Sequence, residues 1–247
     1  MPTSCLNCGA LLNDNYCSHC GQKAGVKRLS WHSLGEEVFH FFTHIEKGFL
    51  KTTGQLITHP GTLFKNYLDG KRKTYHKPIS FLLIWIGLFL VVFHLVKKLT
   101  HFENSNTSTL LTNEAAIAAI IAKYRSLIEI LILPFTAFST WLIIARPKLN
   151  YVEVLSVTFY TFSFLFILLI AQFIIAFVVG INFRTNAFDI TTTGIFIAWS
   201  FYAGYEFYKK YAVAYIVPRL VLSLSTGAIV YFFLSKVIAR MFIAWQF

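Results

Sequence analysis

Charged residues are scarce in this sequence, and acidic residues are the scarcest. Only 13% of the 247 residues are Asp, Glu, Lys or Arg, whereas 56% are hydrophobic. Soluble globular proteins have about 25% charged residues, so this shortage excludes an ordinary soluble domain and predicts an integral membrane protein. The 11 acidic residues are outnumbered by 22 Lys and Arg, which gives a formal net charge of +11. A basic membrane protein favours anionic lipid over nucleic acid as its partner.

Cysteine is absent after residue 20, and the four cysteines form two Cys-x-x-Cys pairs, each followed by glycine. Cys5, Cys8, Cys17 and Cys20 have the spacing of a tetrahedral structural zinc site in a small ribbon over residues 1–22. Thiols stay reduced in the cytosol, and no signal peptide precedes them, so we expect a cytoplasmic ribbon. Two alternatives stay open, namely two disulfides in an exported domain and His19 as a rival ligand.

Five apolar segments approach or exceed the roughly 20 residues that a helix needs to cross a bilayer. These segments are 79–96, 127–145, 152–179, 190–208 and 213–235. The last is the weakest because Pro218 and Arg219 interrupt its beginning, and a four-span alternative stays open. The sequence therefore predicts an all-α polytopic protein with about five transmembrane helices, which form a bundle over residues 79–247.

The positions of the basic residues predict the orientation of this bundle. With five spans, 15 of the 22 Lys and Arg lie on the same side as the ribbon, and 7 lie on the other side. Cytoplasmic segments carry the excess of Lys and Arg. This bias agrees with the thiol argument, so we expect a multi-pass protein of a bacterial inner membrane with a cytoplasmic N-terminus.

Residues 23–78 lie between the ribbon and the first span, and they are neither spanning nor strongly polar. The part up to residue 29 is glycine-containing and basic, and we expect it to be a flexible linker that lets the ribbon move. Ser30 is the expected N-cap of a first amphipathic helix, residues 49–58 form a second, and Pro60 starts a third. We expect the apolar faces of these helices to lie on the membrane surface.

A basic collar precedes the first span, and we define it as Lys71, Arg72, Lys73, Tyr75 and Lys77. Each cation beside an anionic leaflet contributes about 1 kcal/mol to binding. The collar is therefore a candidate lipid-binding site for anionic headgroups. The alternative is that it only enforces the topology of the first span.

A recognisable motif runs through residues 44–81. Its residues are His44, Glu46–Leu50, Thr52, Leu56, Pro60–Gly61, Tyr67–Leu68, Gly70–Lys73, Tyr75, Pro78 and Phe81. This motif resembles the bacterial membrane proteins grouped as domain of unknown function 3667. The resemblance implies a zinc ribbon joined to this block and to several spans, and it implies no activity. Residues 151–236 also resemble, without a specific motif, the five-span Yip family of trafficking-related membrane proteins.

Enzyme and transporter functions have only sparse support in the sequence. Glu36, His40 and His44 are four residues apart, so one helix face could present them as a second metal site or an acid/base row. No nucleophile motif or phosphate-binding loop accompanies them. Glu153 and Glu206 fall at the ends of spans, where we expect a structural ion-pair layer with Arg146, Lys209 and Arg219.

The sequence thus favours a non-enzymatic scaffold or adaptor. In this interpretation the ribbon binds an unknown protein partner and the collar binds anionic lipid. The alternatives are a small-solute transporter or channel, and a membrane-bound metal-dependent enzyme.

Overall fold

The computed structural model describes residues 4–40, 48–99, 116–117, 120–121, 123–180 and 186–245. Eight helices are named within these ranges: α1 (Trp31–His40), α2 (Phe49–Thr58), α3 (Pro60–Leu68), α4 (Pro78–Leu99), α5 (Arg125–Thr140, continued by a π-helical turn, Trp141–Ala145), α6 (Tyr151–Val179), α7 (Asn186–Lys209) and α8 (Ile216–Trp245). Pairing between extended segments in the described ranges is limited to two isolated β-bridges in the ribbon. The predicted all-α architecture is confirmed.

Four of the described helices have the length and apolar composition to cross a membrane. They are α4, α5 with its π-helical turn, α6, and α8 from Ile216 to Ile243. The chain is therefore a multi-pass membrane protein. α4 packs along α6, α5 packs along α6 and α8, and α7 lies between α6 and α8.

α7 is less apolar than the other long helices, yet it runs through the same layer. Its 24 residues extend over about 36 Å at 1.5 Å per residue. Trp199 stacks on Phe164 of α6 with ring centroids 3.9 Å apart, and Thr192 donates a hydrogen bond to Gln172 of α6. These two contacts show that α7 runs antiparallel to α6. α7 therefore lies beside the four helices that have the length and composition of membrane spans.

α8 begins three residues later than the sequence suggests and continues ten residues further. Pro218 is the third residue of α8 and does not interrupt it. The first turn of a helix needs no intrahelical N–H donor, so proline is tolerated there. Pro218 thus marks the start of the last crossing.

We call the end of the bundle that carries residues 4–29, α2 and α3 the ribbon end. There the apolar face of α3 is buried in protein, not on a lipid surface as expected. Phe64 lies between Tyr160 of α6 and Phe207 of α7, with ring centroids 6.1 and 5.7 Å apart, and Tyr67 packs edge-on against Tyr160. The helical spacing of apolar residues predicts that one face of α3 is covered, but it does not predict whether lipid or protein covers that face. Here the aromatic ends of α6 and α7 cover it.

Candidate metal centre and its contacts with the basic collar

The first Cys-x-x-Cys pair lies in a tight backbone loop. The amide of Cys5 donates to the carbonyl of Ala10, and the amide of Gly9 donates to the carbonyl of Cys5, both at 2.8 Å. A single antiparallel bridge between Ser4 and Leu11 closes the loop. Gly9 has a φ of +77°, which an L side chain rarely adopts. The glycine after the pair is therefore required by the turn.

The second pair repeats this geometry twelve residues later. The amide of Cys17 donates to Gln22 and the amide of Gly21 donates to Cys17, again at 2.8 Å. Tyr16 and Lys23 form the closing bridge, and Gly21 has a φ of +71°. Two equivalent loops thus present two sulfurs each to a common point.

The four sulfurs meet in what we call the tetracysteine cluster. The Sγ atoms of Cys5 and Cys20 are 3.6 Å apart, as are those of Cys8 and Cys17, and all four lie within 4.8 Å of one another. A tetrahedral ion with metal–sulfur bonds of about 2.3 Å needs sulfurs about 3.8 Å apart. The donor set therefore fits a metal ion.

The two alternatives for the ribbon, disulfide bonds and His19 as a ligand, do not agree with the geometry. A disulfide needs sulfurs about 2.05 Å apart, and all four cysteines are free thiols, so the disulfide alternative is wrong. His19 is exposed and is not part of the ligand group. Its contribution is a backbone hydrogen bond to Cys17.

The electrostatics of the tetracysteine cluster favour a bound cation. Backbone hydrogen bonds from Cys20 and then His19 lower the pKa of Cys17 to about 6. A hydrogen bond with the backbone of Ala10 lowers the pKa of Cys8, but desolvation and hydrogen bonds with the other three sulfurs outweigh it and raise that pKa to about 12. One thiolate forms easily, whereas a second would lie beside an existing negative charge. A divalent ion offsets this repulsion and supplies a fixed cross-link between the two loops.

The ribbon is attached to the basic collar by side chains of both loops. The Oδ1 atom of Asn7 accepts from the amide and the hydroxyl of Thr74, at 3.1 and 2.8 Å. The side chain of Gln22 donates to the carbonyl of Gly70 at 3.0 Å and accepts from the amide of Lys73 at 3.1 Å. Gln22 is buried. The expectation of a ribbon that moves freely on a linker is therefore wrong.

Gly70 makes this attachment possible through its lack of a side chain. Its φ is +104°, and a Cβ atom there would lie 2.9 Å from the Cδ1 atom of Leu6. Leu6 belongs to the first ribbon loop, between Cys5 and Cys8. The Cδ1 atom is the end of a flexible side chain and can move aside, so the positive φ is the stronger reason for glycine at this position.

The members of the collar have different surroundings. Lys73 is exposed, Lys71 and Lys77 are half-buried, and Arg72 donates to the carbonyl of Lys27 at 2.6 Å. Tyr75 is buried and its hydroxyl accepts from Asn66 at 3.0 Å. Tyr75 therefore supports the collar from inside, and the lysines form its outer surface.

The linker is held by the first turn of α6. Arg28 donates to both carboxylate oxygens of Glu153, at 2.5 and 2.6 Å, and Asn150 donates to the carbonyl of Leu29 at 3.1 Å. Asn150 and Glu153 also form the capping box of α6. The expected ion-pair layer of Glu153 with Arg146, Lys209 and Arg219 is wrong in its partner, because Arg28 takes that place.

Glu206 holds the N-terminus of α3. Its carboxylate accepts from the amide of Gly61 at 2.9 Å and from the hydroxyl of Thr62 at 2.8 Å. Lys210 lies 3.3 Å from the same carboxylate. Helix N-termini attract negative charge because their first amides lack intrahelical acceptors. Glu206 thus has a structural role in attaching α3 to α7, with Lys210 and not Lys209 as its cation.

The Glu36, His40 and His44 row cannot be placed as a site. Glu36 and His40 belong to α1, but their side chains and the whole of His44 lie outside the described residues.

A span holds a buried carboxylate to which sequence reasoning assigned no partner and no role. Glu129 is 1% exposed and pairs with Arg125, one turn earlier in α5, at 3.0 Å. The i, i+4 spacing of the two charges was the available signal. Ionisable groups inside spans are costly and commonly functional, so this pair is relevant to the transport alternative.

Comparison with known proteins agrees with the resemblance found in the motif. No curated protein and no solved structure matches this chain. The matched family is described as a protein of unknown function, DUF3667. The match begins at Glu46 and includes α2, α3, the basic collar and α4 as far as Leu90. Residues 46–90, which include the segment to which the ribbon is hydrogen-bonded, therefore match the family that the motif resembles.

Proposed function

We propose that this protein is a non-enzymatic membrane scaffold. In it a zinc-bound ribbon is fixed on the basic collar, presents a surface to a protein partner, and lies beside lysines that bind anionic lipid. The observation that carries the proposal is the pair of attachments from Asn7 and Gln22 to residues 70–74. They join the metal-binding loops directly to the lipid-binding segment.

Zinc is the ion that the donor set favours. Four thiolates in a closed tetrahedral arrangement are typical of structural zinc and leave no open position for a substrate. The ribbon has only about 20 residues, too few for an adequate hydrophobic core, so its fold depends on the ion. This supports a structural and not a catalytic metal.

The ribbon offers apolar side chains to a partner. Leu11 is 76% exposed and Tyr16 is 60% exposed, and both lie at the bridges that close the two loops. Aromatic and large apolar residues on the surface of a rigid element are typical of protein interfaces. We therefore assign the unknown protein partner to this surface.

The ribbon end faces the cytoplasm of a bacterial inner membrane in this proposal. Reduced thiols and the 15 basic residues on that side of a five-span chain support this orientation. Lys71 and Lys73 lie seven and five residues before α4, where the first crossing leaves the headgroup layer. The exposed part of the collar is then at the level of anionic headgroups.

The proposal is tested with two double variants on either side of α4. Lys71→Gln with Lys73→Gln removes two collar cations, and Lys97→Gln with Lys98→Gln removes two cations from the opposite end of α4. Native mass spectrometry of the detergent-solubilised protein compares retained phosphatidylglycerol with phosphatidylcholine. At about 1 kcal/mol per cation, the collar variant should retain phosphatidylglycerol roughly 30-fold more weakly. Equal retention by the two double variants would contradict the lipid-binding part of the proposal.

The protein-partner part is tested separately by site-specific cross-linking. A photo-reactive amino acid at position 11 or 16 should give one discrete adduct in cells. The same group at position 51, an exposed site on α2, serves as the control. An identical adduct pattern at all three positions would contradict a partner surface on the ribbon.

A small-solute transporter is the second candidate, and Glu129 is the observation that favours it. Its carboxylate is buried in a spanning helix beside Arg125. If the pair lies on an ion path, Glu129→Gln should change flux in proteoliposomes, whereas Asp69→Asn at the ribbon end should not. Unchanged flux in both variants leaves the scaffold as the only supported function.

A further inference from the structure

A cavity of about 300 Å³ lies at the ribbon end, between the linker and the bundle. Its walls are residues 26–28, residues 68–70, Arg72, the pair Lys148 and Leu149 after α5, Glu153 and Tyr211. This position is at the level of the first residues of α6, and α4 starts six residues after Arg72. The cavity is therefore at the depth of lipid headgroups in the proposed orientation.

Four cations and two carboxylates line this cavity, and both carboxylates are already neutralised. The cations are Lys27, Arg28, Arg72 and Lys148. Glu153 accepts two hydrogen bonds from Arg28, and Asp69 pairs with Lys65 at 2.5 Å. An anion in the cavity would thus meet two satisfied ion pairs and an excess of positive charge.

The excess charge belongs to cations whose hydrogen bonds go to neutral groups. Arg72 donates to the carbonyl of Lys27, and Lys148 donates to the carbonyls of Tyr211 and Ala212. The Nε atom of Arg72 is buried and, within the described residues, has no hydrogen-bond partner. The guanidinium of Arg72 also lies over the ring of Tyr67, 6.0 Å from its centroid. The charges of Arg72 and Lys148 are therefore left to act on an anion in the cavity.

We infer that this cavity binds a phosphate group, carried either by a lipid headgroup or by a free phosphate compound. The volume equals about ten water molecules at roughly 30 Å³ each, which is enough for a phosphate with a glycerol-sized substituent. The planar donor fork of arginine suits phosphate oxygens, and lysines add point charges. Burial, followed by the charges of Asp69 and Glu153, raises the pKa of Tyr211 to about 12, so its hydroxyl stays a donor.

This site is additional to the exposed part of the collar and does not depend on the scaffold role. Lys71 and Lys73 are not among the residues that line the cavity, so the two sites are separated by variants. If the collar variant bound phosphate normally and retained phosphatidylglycerol as well as the wild type does, only the lipid-binding part of the proposed function would be contradicted. If the cavity variants bound phosphate as well as the wild type does, only the inference about the cavity would be contradicted.

The test uses the full chain in detergent with Arg72→Gln, Lys27→Gln and the control Lys51→Gln. Calorimetric titration with inorganic phosphate and with glycerol 3-phosphate measures free ligands, and native mass spectrometry with phosphatidate against phosphatidylcholine measures the headgroup. We expect at least tenfold weaker binding in both cavity variants and wild-type binding in the control. Binding of the soluble compounds identifies a free phosphate source, whereas retention of phosphatidate alone identifies the headgroup.

Lys27→Gln protects the test against misfolding, because the carbonyl of Lys27, and not its side chain, accepts from Arg72. Arg72→Lys keeps the charge and removes the fork, so partial rescue should follow. Absence of binding to all phosphate probes, or equal binding by the cavity variants and the control, would overturn the inference.

Discussion

Gly61 shows at the residue scale how closely the matched segment approaches the bundle. A Cβ atom there would lie 2.5 Å from the backbone nitrogen of Phe207 and 2.6 Å from the carbonyl carbon of Glu206. Both neighbours are backbone atoms, so they cannot move aside as a flexible side chain would. The glycine of the Pro60–Gly61 motif is thus explained by the contact between α3 and α7.

Gly61→Ala should therefore lower stability, by about 1–3 kcal/mol for an overpacked site. The measurement is the apparent Tm of the detergent-solubilised protein. Gly54→Ala in α2 is the matched control, since its Cβ meets nothing within 4 Å. Alanine in a helix interior stabilises a protein by about 0.5–1 kcal/mol relative to glycine, so the Tm of this variant should not fall. A fall in Tm for both variants, or for neither, would contradict this account.

The carboxylate of Glu206 offers a second prediction at the residue scale. Glu206→Gln removes the charge that the amide of Gly61, the hydroxyl of Thr62 and Lys210 share. Hydrogen bonds to charged groups contribute about 1.5–3 kcal/mol each, so we expect a loss of about 2 kcal/mol. The readout is SDS-induced unfolding followed by tryptophan fluorescence.

Asp69→Asn is the control for Glu206→Gln. This substitution breaks the ion pair between Asp69 and Lys65. The side chain of Asp69 is 47% exposed, and exposed ion pairs contribute about 0–1 kcal/mol to stability. A loss for Asp69→Asn as large as that for Glu206→Gln would show that the position of Glu206 at the start of α3 has no special effect.

At the scale of elements, the ribbon and the collar form one unit. Asn7→Ala together with Gln22→Ala removes the acceptors of the Thr74 and Lys73 amides while all four thiols remain. We expect hydrogen exchange at residues 73–74 to accelerate at least tenfold, with the metal content unchanged. Asn13→Ala, at an exposed ribbon position, is the control. Unchanged exchange in the double variant would show that other contacts hold the ribbon.

The tetracysteine cluster gives the corresponding prediction for the metal. By elemental mass spectrometry, the wild-type protein should contain about one zinc ion per chain, and the Cys17→Ser variant should contain almost none. The reason is that a closed structural site needs all four thiolates. Ser18→Ala, in the same loop, should keep the zinc. The loss of zinc should also accelerate exchange at residues 73–74, since the two loops that hold Asn7 and Gln22 would separate. A different metal at full occupancy would correct the identity of the ion.

For the whole molecule, the prediction of five crossings places the two ends of the described chain on opposite sides of the membrane. An impermeant thiol reagent applied to intact cells should label Ser108→Cys, between α4 and α5, and should not label Lys210→Cys, between α7 and α8. The four native thiols should also stay unlabelled until the cells are opened. Labelling of the native thiols from outside would reverse the orientation and remove the argument for a cytoplasmic ribbon.

The position of α7 illustrates what hydropathy alone does not predict about the whole molecule. Asp189 and the threonines of its first turns dilute its apolar character, so composition leaves four and five spans open. The stacking of Trp199 on Phe164 and the bond from Thr192 to Gln172 place α7 along α6. A polar helix can cross beside apolar ones when its polar groups find partners inside the bundle.

The sequence by itself determined which four cysteines form the candidate metal site and which segments form the long apolar helices. Both are local properties: the four ligands lie within 16 residues of each other, and a span is recognised within about 20 residues. Only the tertiary structure decided that the ribbon is attached to the collar, that α3 faces protein, and that Arg28 pairs with Glu153. The pair of Arg28 and Glu153 joins residues 125 positions apart, and the energy of such a contact depends on distances that no local pattern contains.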